Sequence, residues 1–214
     1  MKPEVREQLS GISTATVTMQ LLKRGLRSCF ITGAKPLNPD NCQFVAEAYT
    51  LRFIPMREDL SRVEVLGDPE YPPRKAVEDI APGLALVIDA RGEPGAGVIG
   101  DILAARMHER GVAAVVSDGP VRDGAIVAAG GLPVFCAGYA APASLHVHFG
   151  ADLQCPIACG GVAVIPGDIL VGDGDGVVVI PAAMAEEVAR DGAEQERLEG
   201  FLKSRVEAGH PTIG

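Results

Sequence analysis

Three side chains in this 214-residue chain carry the types and spacing that chemistry needs: Asp101, Arg122 and Asp123. Arginine's planar fork matches a carboxylate, so Arg122 is suited to anchoring an anionic substrate. Asp123 stands beside it. One such carboxylate can hold a hard cation such as Mg²⁺ when waters and substrate supply the other ligands. Asp101 opens an expected helix and is placed to position a water that gives or takes a proton. No lysine stands between Gly95 and Asp123, which disfavours Schiff-base chemistry there. A structural ion pair between Arg122 and Asp123 at a strand end is the alternative reading.

The elements that must hold these residues are legible in Gly95–Asp123, GAGVIGDILAARMHERGVAAVVSDGPVRD. The apolar run Leu84–Ile88 reads as a strand feeding a loop with Gly95, Gly97 and Gly100. Asp101 is expected to cap a helix from about Ile102 to Arg110, with Gly111 as its stop. Val112–Val116 reads as a buried strand, and Ser117-Asp118-Gly119-Pro120 as a turn. Strand, loop, helix and strand then bring the glycine loop and the second strand's end to one sheet edge, where ligands sit in open α/β sheets. Gly95-Ala-Gly97-Val-Ile-Gly100 also fits G-x-G-x-x-G, with Asp118 in the acidic position. The first glycine comes too late after the strand for a dinucleotide site, because Ala90-Arg-Gly-Glu-Pro94 intervenes.

Composition narrows the function further. Lys and Arg number 19 against 28 Asp and Glu, a net charge of −9. An acidic chain without a basic run makes a poor binder of nucleic acid or anionic membrane. No apolar run approaches the length of a membrane span, and Met1–Ser10 is charged, so a cytoplasmic protein is expected. The five cysteines, Cys29, Cys42, Cys136, Cys155 and Cys159, read as reduced thiols. Cys155 and Cys159 resemble half a zinc site that lacks its second pair. Hydrophobic residues make up 47% and aromatics 4%, so Val, Ile, Leu and Ala must build the core, as suits a buried sheet.

Elsewhere, Ser13 is expected to cap a helix running to about Arg24, stopped at Gly25. Phe44–Arg52 reads as a strand, Lys75–Ile80 as a short helix, and the proline-rich segment between them as irregular. Arg57, Glu58 and Asp59 read as a solvated cluster. Gly124–Ala129 is an expected helix and Leu132–Cys136 a strand. Ala140–Cys155 is expected to be a loop, with His146 and His148 on one face if extended and no metal partner beside them. Gly161–Ile165, Ile169–Gly172 and Val177–Ile180 read as strands. Asp173-Gly-Asp175-Gly lacks the remaining ligands of a calcium loop and reads as a hairpin turn. A last acidic helix is expected over about 182–208, broken or weakened at Gly192 and Gly200.

Gly100-Asp101 and Asp118-Gly-Pro-Val-Arg122-Asp123 resemble the signature of the RraA-like family. That family takes in the regulator of ribonuclease activity A and the class II 4-hydroxy-4-methyl-2-oxoglutarate aldolases. Ala46–Arg52, Cys159–Val164 and Pro166–Pro181 resemble further family blocks, and the likeness covers roughly residues 12–181. It implies an α/β fold, a single domain over 1–214 resembling the swivelling β/β/α domain, with a mixed central sheet flanked by helices. It implies a divalent-metal-dependent lyase acting on pyruvate-type 2-oxo acids through a pyruvate enolate, by retro-aldol cleavage or oxaloacetate-type decarboxylation. Gly100, Asp101, Ile102 and Leu103 would contact substrate, and Arg122 would bind the 2-oxo acid. Asp123 would serve Mg²⁺ or Mn²⁺, and Asp101 a proton-shuttling water. The site would lie between subunits of a homotrimer or hexamer, with Glu196 or Glu199 supplied by a neighbour. The chain departs from the aldolase pattern at Ile126, where an acid is usual. A non-catalytic, protein-binding regulator is the alternative function.

Overall fold

The structure is a computed structural model that describes residues 1–212. Ten strands and six α-helices follow in chain order: α1 (Pro3–Ser10), α2 (Thr14–Lys23), β1 (Lys35–Pro36), β2 (Phe44–Pro55), α3 (Pro72–Asp79), β3 (Leu84–Asp89), α4 (Asp101–Glu109), β4 (Ala114–Ser117), α5 (Gly124–Ala129), β5 (Val134–Cys136), β6 (His148–Leu153), β7 (Ile157–Cys159), β8 (Val162–Val164), β9 (Ile169–Gly172), β10 (Val177–Ile180) and α6 (Ala185–Glu207). Eight strands form one mixed sheet in the order β1-β5-β4-β3-β2-β9-β10, with β6 also on β2; β7 and β8 make a separate ribbon. Strands β2 to β5 are mutually parallel along that order, and β1, β6 and β9 join antiparallel.

Alternation along β3 shows why the sheet is buried on both faces. Leu86 and Ile88 pack with Ile99, Met107 and Val115 beneath α3 and α4. Ala85 and Val87 point the other way, toward Phe135, Cys159 and Val164. A strand covered on both faces reads as a continuous apolar run, as Leu84–Ile88 does. A third cluster joins α1, α2 and α6 to β9 and β10 through Leu9, Val17, Leu21, Val178 and Val188. The mixed sheet with flanking helices is the fold the resemblance implied.

Several local expectations need correction. Helix α1 lies within the charged N-terminal stretch: Val5 and Leu9 alone are buried, one apolar pair at i, i+4 among polar residues. Gly100, not Asp101, is the cap of α4, and Asp101 is the first helical residue. The expected loop over Ala140–Cys155 contains β6, because the second half of β2 extends past Arg52 to Pro55 and takes β6 as an antiparallel partner. His146 lies exposed in a 3-10 turn, whereas His148 is fully buried on β6, so the two imidazoles share no face. β7 is a three-residue strand outside the expected elements, held by antiparallel pairing with β8. Helix α6 runs unbroken through Gly192, which is buried against Ile12; packing outweighs glycine's weak helix propensity there. Arg57 and Asp59 form an exposed ion pair, as a solvated cluster should. The β9–β10 hairpin pairs Gly172 with Val177 across the Asp173–Gly176 turn.

Candidate active site

Parallel pairing of β3 with β4 places both carboxyl ends at one sheet edge. Two segments leave that edge and are laced together by their backbones. Val98 N–H donates to Pro120 O at 2.9 Å, and Arg122 N–H to Ile99 O at 2.8 Å. On the other side, Val121 N–H donates to Gly138 O at 2.9 Å and Ala140 N–H to Val121 O at 3.0 Å. The 118–123 turn is thus clamped between the glycine loop and the segment after β5.

Glycine is required where these segments touch. A methyl on Gly97 would sit 2.5 Å from both Arg122 Cγ and Arg122 N, so only glycine lets the arginine stem lie across the loop. A methyl on Gly124 would overlap the ring of Tyr139. A Cβ on Gly100 would lie 2.8 Å from Asp123 Oδ2, which fixes the Asp123 carboxylate beside the first turn of α4. Asp123 itself is left-handed, φ 53° and ψ 35°, a conformation that Asp and Asn adopt more readily than other side chains.

The chain therefore brings Gly100, Asp101, Ile102, Leu103, Arg122 and Asp123 together. Their polar groups are conspicuously unspent. Arg122 Nε is buried without a hydrogen-bond partner. Among the described residues no ion pair joins Arg122 to any carboxylate, so the structural-pair reading of Arg122-Asp123 fails. Asp101 Oδ1 accepts from Ile102 N–H at 2.8 Å. Ala104 N–H bonds Gly100 O at 3.0 Å, which leaves the Asp101 and Leu103 N–H groups among those that helix geometry frees at an N-terminus.

Asp118, the acid of the dinucleotide reading, serves structure instead. It accepts from Ala90 N–H at 2.7 Å, Gly92 N–H at 3.1 Å and Gly160 N–H at 3.3 Å, tying the end of β3 to the β7–β8 ribbon. Burial pushes its carboxyl above the ordinary value, and these donors oppose the shift. Glu196 and Glu199 do not reach the site within one chain. Glu196 accepts from Ser13 N–H at 2.9 Å and Ser13 Oγ at 2.8 Å, at the start of α2; the Ser13 amide holds its pKa below the usual range. Glu199 accepts from Gln195 on its own helix at 2.7 Å. The sequence reading missed Tyr139; its signal was an aromatic just after Gly138, beside the segment that clamps the turn.

A divalent cation fits these residues in a limited form. Among the described residues no group of three or more His, Cys, Asp and Glu gathers to hold a metal. Asp123 makes no side-chain cap bond, and among the described residues nothing donates to its carboxylate, as a hard cation completed by water and substrate oxygens would need.

Fold and site together define a mixed α/β protein with one arginine and two carboxylates gathered where β3 and β4 end. The sequence pattern of the RraA-like family, described as Aldolase/RraA, matches residues 13–179, and the chain belongs to that family. It is 35% identical over 162 residues to a Halalkalibacterium halodurans protein named "Putative 4-hydroxy-4-methyl-2-oxoglutarate aldolase", covering 76% of this chain and 70% of that one. It is 26% identical over 207 residues to Legionella pneumophila DlpA, where 97% of this chain matches only 32% of the relative. The crystal structure of Streptomyces coelicolor RraAS2, described as an unusual member of the RNase ES inhibitor RraA protein family, superposes with TM-score 0.84 at 32% identity. That match covers 95% of this chain and 97% of the other. No helix among the described residues is long and apolar enough to cross a membrane.

Proposed function

We propose that the protein is a divalent-metal-dependent lyase acting on pyruvate-type 2-oxo acids. The observation that carries the reading is Arg122, whose buried Nε has no partner, set beside an Asp123 carboxylate to which nothing among the described residues donates. An unpaired buried donor is costly, roughly 1–3 kcal/mol, and an anionic ligand relieves that cost. The likeness to a protein named as an aldolase supports the same chemistry.

Arg122 receives the substrate carboxylate through its fork, which orients the 2-oxo group toward Asp123. A cation held by Asp123 would act as a Lewis acid on the 2-oxo oxygen. The free N–H groups at the start of α4 face developing negative charge there. Asp101 Oδ2 carries no protein hydrogen bond and can hold the water that takes the C4 hydroxyl proton. Breaking C3–C4 leaves a pyruvate enolate, which protonation at C3 completes. Loss of CO₂ from oxaloacetate passes through the same enolate.

The functional unit is proposed to be a homotrimer or hexamer. Leu198, Phe201, Leu202 and Val206 recur at helical spacing on α6 and all are exposed, as a helix face awaiting a partner would be. In such an assembly Glu199 is the better neighbour contribution, since Ser13 already engages Glu196. Light scattering that shows monomer alone at micromolar concentration would contradict this.

Pyruvate release tests the activity, on a panel of 4-hydroxy-2-oxo acids and oxaloacetate, with Mg²⁺ or Mn²⁺ and with EDTA. Metal-dependent release supports the lyase. Failure of the whole panel would instead favour the protein-binding regulator.

A further inference from the structure

Three of the four most exposed large apolar side chains among the described residues stand on, or against, the segments that carry Asp101, Arg122 and Asp123. Ile102 is 78% exposed, Tyr139 66% and Ile126 62%. Single exposed apolar residues need no explanation, but a cluster at a site does. Ile102 follows Asp101 in the first turn of α4. Ile126 lies three residues beyond Asp123, on the same face of α5, and a helical side chain covers the turn N-terminal to its own Cα. Tyr139 lies against Gly124, between Asp123 and the rest of α5. All three thus adjoin the residues assigned to the reacting end of the substrate, on three separate segments.

Charge points the same way. Segments 92–105 and 118–145, which carry these residues, contain one permanent cation, Arg122. It can neutralise one carboxylate, the one at C1. A second carboxylate at the far end of the substrate would meet isoleucine side chains and the like charge of Asp101, with no further side-chain cation on these segments; the charge of Asp123 is already offset by the ion it would hold. A carboxylate so placed stays unpaired, which is unfavourable.

We infer that the site selects 4-hydroxy-2-oxo acids whose C4 substituent is alkyl or aryl rather than carboxylate-bearing; this rests on the lyase reading above. Ile102, Ile126 and Tyr139 receive that substituent. In the reaction the C4 hydroxyl loses its proton and C4–O becomes a carbonyl. The C3–C4 bonding pair passes to C3 as the pyruvate enolate, which a proton then quenches. The products are pyruvate and an aldehyde or ketone that keeps the apolar group, with no oxidant or reductant consumed.

Two measurements on the full chain with Mg²⁺ separate this inference from the reading beneath it. Deuterium exchange at the methyl group of pyruvate, followed by NMR, reports enolate formation with no C4 substituent present. Competing cleavage of 4-hydroxy-2-oxohexanoate, 4-hydroxy-2-oxo-4-phenylbutanoate and 4-hydroxy-4-methyl-2-oxoglutarate reports the preference. We expect exchange, with kcat/KM roughly tenfold or more higher for the two apolar substrates. Ile126→Arg should move the ratio roughly tenfold toward the dicarboxylate, and Ile102→Lys, on a different helix, should move it the same way. Exchange with a preference for the dicarboxylate, or with a ratio unmoved by both variants, overturns the inference and leaves the lyase intact. Absence of exchange and of all cleavage overturns both.

Discussion

Two acid-rich regions of this molecule treat their carboxylates in opposite ways. At the corner where α2 begins, Asp173 accepts from Thr14 N–H, Thr14 Oγ1 and Asp175 N–H at 2.8, 2.8 and 2.9 Å. Glu196 takes the amide and hydroxyl of Ser13 beside it. The corner borders a cavity of about 490 Å³, yet its carboxylates are spent on the chain's own donors. Where α4 and α5 begin, no side chain or amide among the described residues donates to the Asp123 carboxylate, and Arg122 Nε has no acceptor. Satisfied carboxylates hold a fold together; unsatisfied ones beside a half-buried arginine whose Nε lacks a partner leave room for a ligand. On the proposed function, this contrast rather than cavity size marks where a ligand would bind.

The comparison breaks most sharply at Arg122. Arg122→Lys keeps the charge and loses the fork, and kcat/KM for any 2-oxo acid substrate should fall roughly a hundredfold, or about 3 kcal/mol of transition-state stabilisation. Unchanged kcat/KM would remove Arg122 as the carboxylate anchor. Asp123→Asn comes next. Asparagine tolerates the left-handed backbone at this position, so thermal stability should hold while activation by Mg²⁺ or Mn²⁺ is lost. Full activity that is also insensitive to EDTA would sink the metal mechanism.

At the satisfied corner the same kind of change should act on stability and not on turnover. Asp173→Ala strands the Thr14 and Asp175 donors and should cost about 1–3 kcal/mol, read from denaturant midpoints. A loss of activity with unchanged stability would blur the distinction between the two regions.

A further effect, on stability alone, concerns pH. His148 is buried against Phe53, with ring centroids 4.9 Å apart, and its Nε2 has no partner. Burial, seconded by the nearby Arg91 charge, lowers its pKa from 6.5 to about 4. Between those values the unfolded chain binds the proton that the folded chain refuses. Stability is therefore full above pH 6.5 and declines as pH falls toward 4, by up to about 3 kcal/mol. His148→Phe should flatten that slope in chemical unfolding curves taken across the range. An equally steep slope would assign the acid sensitivity to other groups.

Much of the site was legible because it is local. Glycine loop, helix, strand and turn follow one another within thirty residues, and each is punctuated by residues with a physical reason to be there. Asp101, Arg122 and Asp123 could be named from type and spacing alone. What stayed hidden depends on distant partners. The second half of β2 is extended because β6 pairs with it, and β6 is a strand for the same reason. The late first glycine argued against Asp118 as a nucleotide ligand, but its structural role stayed hidden, because Ala90, Gly92 and Gly160 converge on it from two other segments. Tyr139 joined the site only because the turn is clamped from that side.

The central claim is that the unpartnered Arg122 waits for a substrate carboxylate. Isothermal titration of oxalate, a planar dianion shaped like pyruvate enolate, tests it without requiring turnover. In the presence of Mg²⁺ the wild-type chain should bind oxalate, and Arg122→Lys should weaken that binding roughly thirtyfold, about 2 kcal/mol. Equal affinity in the two proteins, or none in either, would contradict the account.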